Sequence, residues 1–493
     1  MPCTTILVGK NAAYDGSTLA ARNEDSTAGK FNPKKLAVVH PGDQPKTYRS
    51  VLSHVEIALP ENPLRYTAMP NACGDEGIWG AAGVNACNVA MTATETITSN
   101  ERVLAADPLV PLRPARDGQP ETPGGIGEED MVTLVLPYIR SAREGVLRLG
   151  SLLETYGTYE KNGIAFQDMD EIWWMETIGG HHWIARRVPD NAYVIMPNQL
   201  GINHFDLSDA FGAKREHLCA PDLREFIARH HLNLDAGSAF NPRLAFGSHS
   251  DADHVYNTPR AWYVLRYFNP TTFRWDGPGA DFTPGSDNLP WCLTPEHKIT
   301  PEDIKYVLSS HFQGTPYDPY ALHGDPAMRG AFRPIGVNRN NFLSLTQLRP
   351  GLPESCRALE WVAFGSNVFN ALIPLYANVS RMPDYFTNTG KTVTTENFYW
   401  TNRLIGALSD AAGSRCAAAV ERYQLEVSAA AQAVLCRCER TPEWTAEDAA
   451  DALREKANDE IAALVRERTE ALLDTALYEA SMAMKNSFSR SDG

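Results

Sequence analysis

Two stretches of the chain are written in short runs of β-branched and apolar residues, and the segments between and after them carry helical spacing. The first stretch runs from Cys3 to about Asn100. It opens with Thr4-Thr5-Ile6-Leu7-Val8, turns at Asp15-Gly16-Ser17, and returns over Thr18-Leu19-Ala20-Ala21 into Arg22-Asn23-Glu24-Asp25. A polar turn between two such runs predicts a β-hairpin. It would have a thiol at one end and a charged cluster beside it. Further strands are predicted at residues 36–39, 51–59, 77–82 and 88–94. The second stretch covers residues 172–196. There Trp173-Trp174-Met175-Glu176 and Trp183-Ile184-Ala185 flank Gly179-Gly180, a hairpin signal. A last strand over 192–196 ends at Pro197-Asn198.

Helices fill the remaining periodic text. Met131, Val132, Val135 and Leu136, then Val146, Leu149 and Leu153, recur at 3.6-residue spacing within 128–156. Residues 211–229 read as helical. Asn257-Thr258-Pro259-Arg260 opens another helix, and Thr300-Pro301-Glu302-Asp303 is a capping box with proline at the first helical position, starting a helix to about residue 311. Residues 312–360 mix loops and strands. From 398 to 490 the pattern is helical almost throughout, with Ala449, Leu453, Ala457, Ile461 and Leu464 as one apolar stripe and Thr445 as its cap. Residues 107–127, rich in Pro and Gly, read as a surface loop of the kind that forms lids or pocket walls. Gly74, Gly77, Gly80 and Gly83 lack the lysine of a phosphate loop and read as turns and close sheet packing. Two β-rich blocks with helices between and after them suit two stacked antiparallel sheets with helices outside.

Bulk properties narrow the function classes. The 493 residues carry 43% hydrophobic side chains, enough for a large core, and a formal net charge of −15. That charge argues against a general nucleic-acid binder or an anionic-membrane binder. No run of 18 apolar residues occurs, so no transmembrane helix is expected. The first residues lack a basic segment followed by an apolar one, so no secretory signal is expected. Nine scattered cysteines suit reduced thiols in a cytoplasm better than a disulfide framework. Cys436-Arg437-Cys438 is too closely spaced for a zinc site and reads as two thiols on a helix. His249-Ser250-Asp251-Ala252-Asp253-His254 fits no metal-ligand spacing and reads as a polar loop. No cofactor is expected.

Cys-Thr-Thr near the start, then Asp-Gly-Ser-Thr and Ala-Arg-Asn-Glu-Asp, resembles the dipeptidases of peptidase family C69. These are N-terminal-nucleophile hydrolases related to penicillin V acylase and bile salt hydrolase. Glu176-Thr177-Ile178-Gly179-Gly180-His181-His182-Trp183 and Val194-Ile195-Met196-Pro197-Asn198-Gln199 match the same family pattern, and the resemblance extends over about residues 3–403. It implies a four-layer αββα sandwich, with residues 3–397 as the catalytic domain. Residues 398–493 would be a helical extension packed on that core or on a neighbouring subunit of a homo-oligomer.

The resemblance also implies a chemistry. Cys3 would be the nucleophile, forming a thioester that water hydrolyses, with its own α-amine as base once Met1-Pro2 are removed. An α-amine has a reference pKa of roughly 7.7–8.0, so it is half neutral near physiological pH. Arg22 would favour the thiolate, and Asp25 would hold the α-ammonium or the thiol. Asn198 corresponds to an oxyanion-hole asparagine, and Arg260 to a further active-site arginine. A second oxyanion asparagine of the relatives is replaced within Ala93-Thr94-Glu95-Thr96, which makes Glu95 a candidate carboxylate for the free amine of a dipeptide. His181 and His182, alternating on a strand, are expected to be structural. The expected activity is a metal-independent cysteine dipeptidase acting on small peptides. An acylase acting on a non-peptide amide and a non-catalytic, secernin-like binding protein are the alternatives.

Overall fold

The computed structural model describes residues 3–27, 29–235, 237, 240–445 and 451–485, and for residues 93–95, 442 and 445 the backbone alone. Met1-Pro2, the Glu95 side chain, the Thr445 cap and Ala449 therefore lie outside the described residues. The predicted hairpin is formed by β1 (Cys3–Val8) and β2 (Thr18–Asp25), fully buried along both strands. It lies at the centre of a seven-stranded sheet. In order the strands are Cys292–Leu293, Tyr193–Met196, β1, β2, Asn340–Leu348, Ala358–Phe364 and Ile373–Tyr376, each antiparallel to its neighbour. A second antiparallel sheet has six strands, in the order His217–Cys219, Trp183–Arg187, Ile172–Thr177, Asn162–Gln167, Ala90–Thr96 and Ala82–Val84.

Strand alternation sorts the hairpin's side chains into two layers. Ile6, Val8, Leu19 and Ala21 enter the largest core. They share it with Trp262, Leu265 and Phe268 of the helix Thr258–Phe268 and with Ile304 and Val307 of Pro301–Leu308. The same core includes Ile405, Val427, Ile461 and Val465 from three helices after residue 397. Leu7 and Ala20 point the other way and meet Ala165 and Trp174 of the second sheet. The far face of that sheet, with Ile164, Phe166, Trp173 and Met175, is covered by Met131, Val132 and Val135 and by Val146, Leu149 and Leu153. These belong to the helices Glu128–Val135 and Ala142–Tyr156. The layers are thus helix, sheet, sheet, helix, the αββα architecture. Each large apolar side chain fully buried in this way contributes about 1.5–3 kcal/mol. The helices after residue 397 bury their apolar stripes on the outer face of the hairpin sheet and share one continuous core with it.

Several local expectations change. Residues 77–81 do not form a strand. Gly77, Trp79 and Ala81 all take positive φ, which no extended ladder accepts, and pairing starts only at Ala82. At Gly77, φ is +97° and a side chain would run into the Glu129 carboxylate. The helix expected over 211–229 is split into Leu207–Phe211 and Leu223–Arg229 by the edge strand His217–Cys219, with Gly212 and Pro221 in the breaks. Within 51–59 only Glu56–Ala58 is a strand, paired with Thr47–Arg49. His181 and His182 lie in the turn before Trp183–Arg187 rather than on the strand. Both rings therefore reach one carboxylate: Nδ1 of His181 is 3.1 Å from Asp107 Oδ1, and Nδ1 of His182 is 2.8 Å from Asp107 Oδ2. Asp253 closes the capping box of Asp251–Tyr256, and His254 pairs with Asp287. Among the described residues, which include all nine cysteines, there is no disulfide. Among the described residues no helix is long and apolar enough to cross a membrane.

Candidate active site

Cys3 begins β1, and the register sets Cys3 opposite Glu24 and Thr5 opposite Arg22 on β2. Cross-strand neighbours share a face, so the Cys3 thiol, Arg22 and Glu24 all point into the space between the sheets. Nη2 of Arg22 lies 3.1 Å from Cys3 Sγ and 2.6 Å from Glu128 Oε1. Glu128 is the first residue of the helix Glu128–Val135. Glu24 in turn binds Lys34, 3.0 Å from its Nζ, and lies 3.5 Å from Arg22. Arg22, Glu24, Lys34 and Glu128 are at most 1% exposed. Two cations and two anions thus alternate in a dry site, the arrangement in which buried charges are tolerated. Burial lowers the Lys34 pKa, against the pull of Glu24. A guanidinium 3.1 Å from the sulphur favours the thiolate over the thiol.

The other side of Cys3 is held by Asn198 and Arg260. Asn198 follows the strand Tyr193–Met196, which pairs with β1, so the sheet carries it to the thiol. Its Oδ1 accepts the Cys3 backbone N–H at 3.0 Å and Arg260 Nη2 at 2.7 Å. With the oxygen end fixed in this way, Nδ2 is the donor end of the amide. Arg260 lies in the first turn of Thr258–Phe268 and is 1% exposed. Its five N–H groups are all engaged. Nε donates to the Tyr256 carbonyl, Nη1 to the Cys3 carbonyl and to Thr4 Oγ1, and Nη2 to Asn198 and Asn257. Arg260 therefore fixes the Cys3 backbone and the Asn198 amide together. Its contacts are those of a positioning residue.

Asp25 is brought to the same strand end but to different partners. Alternation along β2 puts it on the face opposite Arg22 and Glu24. Its carboxylate is bound there by Arg333 and by the Asn340 amide, at a β-bulge in the Asn340–Leu348 pairing. The sequence leads one to expect Asp25 to hold the α-ammonium or the thiol; of the two neighbouring carboxylates, that of Glu24, one residue earlier, is the one on the thiol's face. The backbone of Glu95 pairs with Gly163 in the second sheet.

Glu24, Lys34, Glu128 and Asn257 escaped the sequence reading. Glu24 was within reach of it, since period-2 alternation in Arg22-Asn23-Glu24-Asp25 puts residues 22 and 24 together. Glu128 and Lys34 carry no local signal. They reach the site through a helix start and a loop that the sequence does not connect to β2.

The comparisons with known proteins agree on one family. The model of peptidase family C69 matches residues 2–426. The chain is 54% identical over 532 residues to a protein named dipeptidase from Bifidobacterium longum, with all of both chains covered. It is 52% identical to a probable dipeptidase A of Streptococcus pyogenes serotype M3, again over all of both chains. It is 48% identical over 413 residues to dipeptidase A of Lactobacillus helveticus, covering 83% of this chain and 82% of that one. Among solved structures, a mutant conjugated bile acid hydrolase from Clostridium perfringens is 10% identical, with 76% of this chain and 96% of that one covered and a TM-score of 0.29. With a family model spanning the hairpin and both sheets, this chain belongs to peptidase family C69.

Proposed function

We propose that this protein is a dipeptidase that cleaves its substrate through a thioester on Cys3, after loss of Met1-Pro2 makes Cys3 the first residue. The observation that carries this reading is the placement of Arg22 Nη2 against Cys3 Sγ at 3.1 Å, among side chains that are at most 1% exposed. The related chains named dipeptidases, at about half identity over their full lengths, support the substrate class.

In this reading the thiol proton passes to the α-amine of Cys3, which its reference pKa makes a competent base near neutral pH. The thiolate attacks the peptide carbonyl carbon, and the oxygen becomes an oxyanion facing the Asn198 Nδ2 donor. The intermediate collapses, the C–N bond breaks, and the α-ammonium returns its proton to the leaving amine. Water then attacks the thioester, giving its proton to the α-amine and releasing the N-terminal amino acid and the thiolate. Arg22 stabilises the sulphur's negative charge at both ends of the cycle. Arg260 keeps Asn198 and the Cys3 backbone in register.

The test is to treat purified protein with iodoacetamide, follow hydrolysis of L-alanyl-L-alanine, and measure the mass of the N-terminal peptide. The expected result is a peptide that starts at Cys3, carries one carbamidomethyl group, and appears in step with loss of activity. An active protein that retains Met1 or Pro2, or that stays active when Cys3 is fully alkylated, would overturn the reading. Turnover of an acyl amide but of no dipeptide would favour the acylase.

A further inference from the structure

Arg260 and Arg333 are both buried around the start of β1, and they differ in how their donors are used. All five N–H groups of Arg260 are engaged. The Arg333 side chain is 6% exposed. Its Nη2 binds the Asp25 carboxylate. Its Nε and Nη1 are buried and close no hydrogen bond among the described residues. A guanidinium is always charged, and these two nitrogens carry N–H donors only. Buried donors in a folded protein are nearly always paired, so two idle nitrogens on one buried arginine call for an explanation.

Two tethers hold this guanidinium near the chain end at Cys3. The first is Asp25. Antiparallel pairing sets Cys3 opposite Glu24, so the residue after Glu24 flanks the Cys3 nitrogen. With adjacent Cα atoms about 3.8 Å apart and cross-strand pairs about 5 Å apart, a cation on Asp25 lies on the order of 10 Å from that nitrogen. The second tether is backbone. The Arg333 N–H donates to the Val255 carbonyl at 3.1 Å. The next carbonyl, of Tyr256, accepts Nε of Arg260, whose Nη1 holds the Cys3 carbonyl. Asp25 and the thiol are on opposite faces of the hairpin, but the nitrogen at a strand's start is open to both faces. The proposed reaction decides which end of a peptide comes to this side. The α-amine passes its proton to the leaving nitrogen across one hydrogen bond, about 3 Å long. In a dipeptide the carboxylate carbon is two bonds further on, about 2.5 Å. A charge-assisted bond of about 2.8 Å then carries its oxygens into the zone of Arg333. One more residue would move the carboxylate about 3.3–3.6 Å beyond and leave an uncharged amide in its place.

We propose that Arg333 binds the C-terminal carboxylate of the substrate, so that the bond cleaved is the one before the last residue and a free amino acid leaves. This rests on the dipeptidase reading above and concerns the carboxylate end of the substrate alone. Asp25 occupies Nη2 and fixes the guanidinium, and the substrate's carboxylate is the acceptor for Nε and Nη1.

The experiment measures binding apart from turnover. Protein beginning at residue 3 with Cys3→Ala is titrated by calorimetry with L-alanyl-L-alanine and with L-alanyl-L-alaninamide, which differ only at the C-terminal carboxylate. The free dipeptide is expected to bind at least about tenfold more tightly, the scale of one hydrogen bond between charged groups. The titrations are repeated with Arg333→Lys, which keeps a cation for Asp25 but lacks the donors at Nε and Nη1. Most of the preference is expected to go, with a much smaller change for the amide. Arg333→Gln, which keeps an N–H donor for Asp25, should act in the same direction and serves if the lysine variant does not fold. Equal binding of the two peptides by protein that retains Arg333 would overturn the subsite while leaving cleavage by Cys3 intact. So would a preference that survives in the folded variants, or a loss that weakens both peptides alike, the mark of a structural role. A clear preference for the free carboxylate in protein whose Cys3 form hydrolyses no dipeptide would keep the subsite and overturn the dipeptidase reading.

Discussion

At Cys3 one set of groups touches the sulphur and another holds those groups still. Arg22 touches it directly, so Arg22→Met should cut kcat/KM steeply and slow alkylation of Cys3 by iodoacetamide, because both depend on thiolate. Unchanged alkylation would show that Arg22 acts elsewhere. Asn198 is argued to donate only to charge that develops during reaction. Asn198→Ala should lower kcat by on the order of 10²–10³ with a smaller effect on KM, and an effect confined to KM would make it a ground-state contact. Arg260 differs from both, because its five N–H groups serve the protein itself. Arg260→Lys cannot reproduce a planar fork with five donors. It should lower both Tm and kcat, whereas Arg22→Met, which leaves the backbone of β1 tied to Asn198, should affect mainly kcat. Cys3, Arg22, Asn198 and Arg260 were expected from sequence through the family resemblance, and the structure brings the four together at the start of β1. Glu128 and Lys34 were not expected, since their roles exist only once a loop and a helix start are folded onto β2.

At the level of elements, the hairpin, the second β block and the capped helices were legible because their signals are local: period-2 alternation, paired turn residues, and side-chain caps. Thr300 does accept the Asp303 N–H at the start of Pro301–Leu308. The misread segments are those where tertiary packing decides the backbone. Residues 77–81 have strand-like composition but adopt positive φ at three positions to carry the loop over the Glu129 carboxylate. Replacing Gly77 by alanine should therefore destabilise the protein by about 1–3 kcal/mol, measured as a fall in the denaturation midpoint. A variant as stable as the parent would mean that the loop has room the close approach to Glu129 denies. The edge strand His217–Cys219 was hidden in the same way, since a three-residue strand between two short helices has too little periodicity of its own.

Across the whole molecule, one buried carboxylate predicts how stability depends on pH. Glu360 lies between the sheets, is 0% exposed, and has both oxygens without a hydrogen bond of good geometry among the described residues. Burial raises its pKa from 4.5 to about 7. The folded state thus prefers the protonated form. The favourable contribution is fully present below the unfolded value near 4.5 and is lost as pH rises through about 7, by up to about 1.4 kcal/mol per pH unit in that window. Glu360→Gln should raise Tm at pH 8 and leave it nearly unchanged at pH 4.5. An equal shift at both pH values would assign the effect to packing instead of ionisation. The helices after residue 397 belong to the same whole, for their apolar faces complete the core under the hairpin sheet. Cutting the chain before Phe398 is expected to unfold the catalytic sheets, and not to release them as a working domain.

Whether Cys3 is the nucleophile is decided by the turnover of L-alanyl-L-alanine by protein that begins at residue 3 and carries Cys3→Ala. Hydrolysis should fall by at least about 10³-fold, with Tm close to that of the parent, since the sulphur is lost from chemistry and little packing goes with it. Hydrolysis at an undiminished rate by a folded Cys3→Ala protein would rule Cys3 out as the nucleophile.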